Sequence, residues 1–363
     1  MRRLARSWDV LFVEGVPMRS VALGDRAEAR RLLQKVRPQR LLRTVEPGLH
    51  VLRALPIPPS GRGVRRLQLR ALEAQIVWAR RKTGMRGPVV SWFSLPTVAG
   101  LRGRFGELGS LFYYQDRYDR FSHVDAAFVR RCVSELARGC EASIATGAEL
   151  AGDLQALGAD PITVPHGVEI ARFAQEGLSE PRDLRDLERP LVGYTGLIDD
   201  YLSFDHLLAV ADRLERGTIV LVGRSNTDVR RLMAHPRIRL LGRRPYEQMP
   251  AYLAAFSCCL VPFDGSELSR GVNPIKLREY LAAGRPTVAT PMPAVLPYDG
   301  VIEIADGASA FADAVQASLE VPNDTIEARE RRRTRVANED WDGVVDRIEP
   351  VLRRLLAANR VTL

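Results

Sequence analysis

The chain has 363 residues, 46% hydrophobic and 27% charged, which is typical of a soluble globular protein long enough for two domains. The four cysteines lack metal-ligand spacing, and no apolar run reaches the roughly 18 residues of a membrane-spanning helix. The net charge of +9 comes from scattered residues without any known nucleic-acid-binding motif, so nucleic acid is not expected as a partner. The opening residues lack a secretory signal pattern, which predicts a cytoplasmic protein.

Short apolar stretches alternate with amphipathic ones in the first half, and this pattern indicates an α/β fold with parallel sheets. Strands are predicted at 10–13, 50–55, 89–93, 111–114, 142–145 and 162–165, and helices at 64–83, 126–138 and 148–157. Residues 16–48 are rich in arginine and show no clear period. The helix at 64–83 is strongly basic and carries Trp78; such a helix is either a solvated face or a contact with an anionic bilayer.

Residues 174–189 are charged, contain Pro181 and lack an apolar face, so they are interpreted as a linker between domains. A second α/β alternation follows it. Its strands are predicted at 191–194, 218–222, 237–241, 257–262 and 287–290, and its helices at 204–214, 246–255, 274–283, 308–319, 326–336 and 341–359. The predicted organisation is a first domain at 1–173, the linker, a second domain at 190–340 and a final helix at 341–363.

Three predicted strands of the second domain end in glycine-bearing loops. They are followed by Gly196, by Gly223-Arg224 and by Gly242-Arg243-Arg244. Ligands of open α/β sheets bind beyond the carboxyl ends of the strands, so these loops and the helix that begins near Pro274 predict an anion site for a nucleoside diphosphate. Neither a P-loop nor a G-x-G-x-x-G motif is present, which disfavours ATP hydrolysis and NAD chemistry.

Lys276, Glu279 and Tyr280 lie one turn apart in the predicted helix 274–283, on a face separate from its apolar residues. Near a helix N-terminus, this lysine and glutamate can hold a phosphate and a ribose together. The alternative is an ordinary ion pair on the helix surface. Lys276 is one of only three lysines among 53 basic residues, which favours a role for a compact charge at this position.

Two titratable groups follow strands of the first half. Asp116 comes after the apolar strand 111–114, among tyrosines, and is a candidate general base; the alternative is a turn-capping aspartate. His166 follows the strand 162–165 and is the second catalytic candidate, with a histidine packed against backbone as its alternative.

Five stretches in order resemble the nucleotide-binding domain of GT-B glycosyltransferases, in particular bacterial enzymes of cell-surface glycan assembly. They read VPHGVEIARF, PLVGYTGLIDDYLSFDHL, TIVLVGRS, IRLLGRRPYEQMPAYLAAFSCCLVPF and NPIKLREYLAAGRPTVATPMPAV. The first half resembles the family mainly around FYYQDRYDRF. The resemblance implies two Rossmann-like domains that face each other across a cleft, with the final helix crossing back to the first domain. It also implies that the first strand of the acceptor domain is missing at the start of the chain.

The resemblance further implies which residues bind the donor, a nucleoside diphosphate sugar. Glu279 would bind the ribose hydroxyls, Lys276 and Arg224 the phosphates, and the loop carrying Arg244 the base. The implied donor-binding residues are Gly196, Arg224, Arg244, Asn273, Lys276 and Glu279. No cofactor and no bound metal are expected, because a helix dipole and basic side chains neutralise the leaving diphosphate in this family.

The implied activity is transfer of a sugar to a hydroxyl of a lipid-linked, glycan or small-molecule acceptor, in the cytoplasm or peripherally on the inner face of the membrane. Many retaining members carry a glutamate eight residues before the residue matching Glu279, where this chain has Gly271. Inversion with Asp116 as the base is therefore preferred. The alternatives are a retaining or natural-product glycosyltransferase and a catalytically weak nucleotide-sugar-binding homologue.

Overall fold

The computed structural model describes residues 1–14, 41–55, 61–121, 124–320 and 324–358, with 61–64 described by backbone only. The chain divides into two compact units: the first is Met1–Val164 with Val345–Leu363, and the second is Pro165–Val344. The stretch 174–189, predicted as a linker, lies inside the second unit, where Leu184 is fully buried. The chain therefore enters the second unit earlier than predicted.

The first unit contains two small sheets. The strand orders are β1-β3-β2 and β4-β5-β6-β7, and all pairs are parallel except β2 with β3. The strands are β1 (Val10–Glu14), β2 (Leu42–Glu46), β3 (Leu49–Arg53), β4 (Val90–Phe93), β5 (Gly109–Tyr114), β6 (Ala142–Ala145) and β7 (Pro161–Thr163). β2 falls in the arginine-rich segment that showed no period. It is an edge strand whose three central residues are exposed, so it carries no apolar alternation to detect.

Three helices of the first unit cover these sheets. They are α1 (Gly61–Thr83), α2 (Ala126–Gly139) and α3 (Ala148–Ala156). The side chain of Asp125 accepts a hydrogen bond from the Phe128 N–H and caps α2. Every residue of β5 is buried, and Asp116 lies just beyond the carboxyl end of this strand.

The second unit is built on a six-stranded parallel sheet with the order β10-β9-β8-β11-β12-β13. Its strands are β8 (Leu191–Thr195), β9 (Thr218–Val222), β10 (Ile238–Leu240), β11 (Cys258–Val261), β12 (Thr287–Ala289) and β13 (Glu303–Ile304). Counted from β8, the order is 3-2-1-4-5-6, which is that of a Rossmann sheet. β8, β9 and β11 are buried along their whole lengths, as expected for the centre of a parallel sheet.

The helices of the remaining described chain follow in sequence order. They are α4 (Ile170–Phe173), α5 (Phe204–Arg213), α6 (Arg230–Met233), α7 (Met249–Ala255), α8 (Glu267–Arg270), α9 (Ile275–Ala282), α10 (Ala308–Glu320), α11 (Ile326–Val336) and α12 (Trp341–Ala358). Four of the observed elements are too short, at two to four residues, to show any periodicity in the sequence and were not predicted: α4, α6, α8 and β13. α12 begins in the second unit and ends in the first.

Candidate functional site

The strand order of the second unit reverses between β8 and β11, and this switch point is where open α/β sheets bind ligands. Gly196 follows β8, and α9 follows β11 after a loop that contains the short helix α8. The hydroxyl of Tyr280, on α9, accepts a hydrogen bond of 2.9 Å from the Thr195 N–H at the end of β8. This bond fixes α9 beside the switch point. Tyr280 is fully buried in the same hydrophobic core as Leu277 and Leu281, so the prediction that it lies on a face separate from the apolar residues of the helix was wrong.

Glycine is required where the β8 and β9 loops meet. Gly196 has a φ of +149°, and a Cβ atom there would lie 2.8 Å from the Tyr194 hydroxyl oxygen and 2.9 Å from Lys276 Cε. A Cβ atom on Gly223 would lie 1.6 Å from the Gly196 carbonyl oxygen. The two strand ends therefore pass backbone against backbone, and the lysine side chain lies across the first of them.

Lys276 and Glu279 form a pair that is mostly withdrawn from solvent. Lys276 Nζ lies 3.9 Å from Glu279 Oε2, and the side chains are 31% and 3% exposed. The Tyr246 hydroxyl also hydrogen-bonds the Glu279 carboxylate. The alternative of an ordinary surface ion pair is excluded, because the glutamate is buried.

Burial raises the pKa of the Glu279 carboxyl, while the Lys276 charge and the Tyr246 hydrogen bond act in the opposite direction. The Glu169 carboxylate raises this pKa further. A buried carboxylate with one distant ammonium and one hydroxyl incurs a desolvation penalty of several kcal/mol. Groups held buried at such a cost are candidates for a functional site.

Tyr246 connects this pair to a second small cluster within the same unit. Its ring packs edge-on against Phe173 at 5.8 Å, and the Arg172 guanidinium lies 5.3 Å from the ring centroid. Arg172 is paired in turn with Glu169. The sequence pointed to the loop carrying Arg244 but not to Glu169 or Arg172, because the approach of these two residues to Tyr246 depends on tertiary packing.

Two further features supply positive charge near the strand ends. Arg224 is exposed beyond β9, and its guanidinium makes no hydrogen bond or ion pair with the residues that the structure describes. The N-cap of α9 is Pro274, so no side chain caps the helix, and its first N–H groups carry the positive end of the helix dipole. Both features suit an anion.

The other two predicted donor ligands bind groups of the protein itself. Arg244 Nη2 lies 2.8 Å from Asp183 Oδ2, and Arg244 Nε lies 3.1 Å from the Tyr252 hydroxyl. These side chains line a depression of about 540 Å³. Asn273 Oδ1 accepts a 2.6 Å hydrogen bond from Arg278 Nη1, and Arg278 Nε lies 2.6 Å from Glu339 Oε2.

His166 lies at the start of the second unit, with its ring centroid 6.4 Å from that of Trp341. Burial, reinforced by the Arg278 charge, lowers the pKa of its imidazole to about 4. The ring is therefore neutral at pH 7 and takes up a proton only in acid.

Asp116, in the first unit, is a half-buried carboxylate just beyond β5. Within the described ranges its side chain has no hydrogen-bond or ion-pair partner, and burial raises its pKa to about 7. The adjacent Arg117 is held by Asp153 at 2.7 Å and by Glu149 at 3.2 Å. The carboxylate thus lacks a fixed counter-ion and can accept a proton near neutral pH.

No group of three histidine, cysteine, aspartate or glutamate side chains that could hold a metal ion occurs in the part of the chain that the structure covers. Among the same residues, no helix is both long and apolar enough to cross a membrane.

The structure is similar to solved glycosyltransferases over nearly the whole chain. Sucrose-phosphate synthase from Thermosynechococcus elongatus superposes with a TM-score of 0.72 at 18% identity, covering 96% of this chain and 99% of that one. Anabaena HepE in complex with UDP and glucose gives a TM-score of 0.66 at 15% identity, covering 94% and 98%. These likenesses define the fold as that of the GT-B glycosyltransferases, as the sequence predicted.

Residues 189–320, which lie in the second unit, match the family model described as "Glycosyl transferases group 1". A curated relative, the putative teichuronic acid biosynthesis glycosyltransferase TuaH of Bacillus subtilis (strain 168), is 29% identical over 191 residues. That match covers 50% of this chain and 47% of TuaH, so it spans about half the length of each protein.

Proposed function

We propose that the protein is a glycosyltransferase that moves a sugar from a nucleoside diphosphate sugar to an acceptor hydroxyl in the assembly of a cell-surface polysaccharide. The observation that carries the proposal is the buried Glu279 beside Lys276 and Gly196, at the switch point of the sheet in the segment that matches the group 1 family model. Two relatives support it: HepE was solved with UDP and glucose, and TuaH is named for teichuronic acid biosynthesis. We further propose a cytoplasmic enzyme whose acceptor is lipid-linked.

The proposed donor site uses each group for the chemistry that it suits. The Glu279 carboxylate, an acceptor of two hydrogen bonds or more, binds the ribose hydroxyls. Lys276, partly exposed beside it, contacts the diphosphate, together with the N-terminal amides of α9 and the exposed Arg224. Gly196 lets the diphosphate approach the backbone because it has no side chain. These groups supply the positive charge that the diphosphate needs, so the proposal includes no metal ion.

The proposed reaction is a single displacement that inverts the configuration of the sugar. The acceptor oxygen forms a bond to the anomeric carbon, and the bond from that carbon to the phosphate oxygen breaks. The nucleoside diphosphate leaves with the electron pair of that bond, and Lys276 stabilises its charge. The acceptor proton passes to the Asp116 carboxylate, whose pKa of about 7 suits a base at neutral pH. Gly271 leaves no carboxylate at the position where many retaining relatives carry a glutamate.

Thermal unfolding in the presence of uridine, guanosine and thymidine diphosphates tests the nucleotide part of the proposal. A ligand at 100 times its dissociation constant stabilises the folded protein by about 2.7 kcal/mol, so one nucleotide series should raise the Tm by several degrees. Its 2′,3′-dideoxy analogue should give a much smaller shift, because Glu279 then has no hydroxyls to bind. The absence of any shift, or an equal shift with inorganic pyrophosphate, would contradict the proposal.

A further inference from the structure

Helix α1 carries an apolar stripe on the side that faces away from the core of its own unit. Leu67 and Trp78 are 58% and 40% exposed, respectively. Ala74, which lies between them, is also exposed. Spacings of seven and four residues place all three on one side of the helix. Leu72 and Ala79, on the other side, are buried and anchor the helix. The stripe is therefore a surface feature of a helix that is already fixed.

The stripe is flanked by unpaired positive charge. Gly61–Thr83 contains seven basic residues and a single acidic one, Glu73. Arg66, Arg70 and Arg81 flank the stripe and are exposed, and none of them contacts a carboxylate within the described parts of the chain. Elsewhere, exposed arginines such as Arg230 and Arg231 are paired with aspartates. Unpaired arginines beside exposed tryptophan and leucine are characteristic of a helix that lies in a bilayer interface.

A depression lies at the C-terminal end of the same surface. It has a volume of about 230 Å³ and is lined by Val77, Arg80, Arg81, Met85 and Arg86. The lining combines three arginines with two apolar side chains, and Arg80 also donates a hydrogen bond to the Phe105 carbonyl. Arginines beside apolar side chains suit a lipid phosphate and the start of its acyl chains. The positive charge of the helix surface therefore continues into a depression that could hold the negatively charged headgroup of one lipid.

We propose that this basic apolar surface, defined by Leu67, Arg70, Ala74, Trp78 and Arg81, docks the protein on an anionic lipid bilayer. The arginines interact with the headgroups, and Trp78 and Leu67 enter the interface between headgroups and acyl chains. The inference rests on α1 and on the depression at its C-terminal end, and it does not depend on the proposed transfer reaction, although docking would bring a lipid-linked acceptor to the enzyme.

Co-sedimentation of the full chain with vesicles tests this surface. The protein should bind vesicles of phosphatidylcholine with 30% phosphatidylglycerol and should bind pure phosphatidylcholine weakly. Replacing Arg66, Arg70 and Arg81 together with glutamine should lower the partition coefficient roughly 100-fold, because each surface charge contributes about a factor of five. Lipids brominated near the headgroup should quench Trp78, and a Trp78→Phe variant should lose most of that quenching.

The matched control replaces Arg216, Arg230 and Arg231 with glutamine, which lowers the net charge equally from exposed positions of the second unit. This variant should keep most of its vesicle binding. An equal loss in the control would overturn the proposal, since it would show a net-charge effect without a docking face. A short RNA that carries the same total negative charge as the vesicles should not compete with them for the protein. Competition by this RNA would also overturn the proposal of a lipid-docking surface. Circular dichroism melts confirm that each variant folds, and the nucleotide-induced Tm shift should be unchanged in all of them.

Discussion

Replacing Lys276 with alanine should lower the rate at which nucleoside diphosphate is released from the donor sugar by about 10²–10³-fold. The ammonium lies 3.9 Å from the buried Glu279 carboxylate, and its side chain crosses Gly196 at the end of β8. It is therefore the cation best placed to stabilise the leaving diphosphate. The loss should be largest in kcat, because the negative charge on the diphosphate develops as its bond to the sugar breaks. Steady-state kinetics with the donor found in the thermal screen measure this.

The control for this substitution is Arg230→Ala, which removes an exposed cation of the same unit whose partner is Asp228. Its kinetics should match those of the unmodified protein. Lys276→Ala also removes the neighbouring positive charge from the buried Glu279 and, among the described residues, leaves it the Tyr246 hydrogen bond, so the thermal stability of this variant must be measured alongside. A folded Lys276→Ala variant with an unchanged kcat would show that the donor phosphates bind elsewhere.

Replacing Asp116 with asparagine should lower transfer to the acceptor by about 10²–10⁴-fold and leave the affinity for the nucleotide unchanged. The carboxylate must be ionised to take the acceptor proton, so the kcat/KM of the unmodified protein should rise with pH and level off above a pKa of about 7. Asp160→Asn, on an exposed carboxylate of the same unit, is the control and should retain its activity. Unchanged transfer by Asp116→Asn would remove this residue from the mechanism.

Stability gives an independent check on the environment of Asp116. Its pKa is higher in the folded protein than the ordinary value of 3.8, so the folded state binds a proton more tightly than the unfolded chain does. The free energy of unfolding therefore falls as the pH rises from about 4 to about 7. Asp116→Asn removes this penalty and should raise the Tm at pH 8, whereas the two proteins should converge near pH 4.

The sheet of the second unit was largely predictable from the sequence, because its central strands are buried along their whole lengths. β8, β9 and β11 are mostly apolar in sequence, and their observed bounds differ from the predicted ones by at most one residue at either end. The segment 174–189 was misjudged because a single buried residue, Leu184, anchors a charged stretch. A single buried residue produces no hydrophobic periodicity in the sequence. β2 was not predicted for a related reason. It is an edge strand that buries few apolar side chains, so its sequence shows no alternation of apolar and polar residues.

The candidate site was predictable where its residues are close in sequence and less so elsewhere. Lys276 and Glu279 lie on one helix. Their approach to Gly196 was predictable, because the loops at the carboxyl ends of the strands were expected to meet at one edge of the sheet. Arg244 and Asn273 had the expected residue types, but their hydrogen-bond partners, Asp183 and Arg278, became evident only from the packing. The partial burial of Asp116, and its lack of a partner among the described residues, likewise depend on packing, because Arg117 is held by Glu149 and Asp153 of α3.

Hydrogen–deuterium exchange with and without saturating nucleoside diphosphate tests the location of the donor site most directly. Binding should slow exchange in peptides covering 194–197 and 273–279, which carry Gly196 and the first turn of α9. The depression lined by Asp183, Arg244 and Tyr252 provides an internal comparison in the same unit and should change little. Protection confined to 179–183 and 244–252, with the start of α9 unaffected, would contradict the proposal that Lys276 and Glu279 form the donor site.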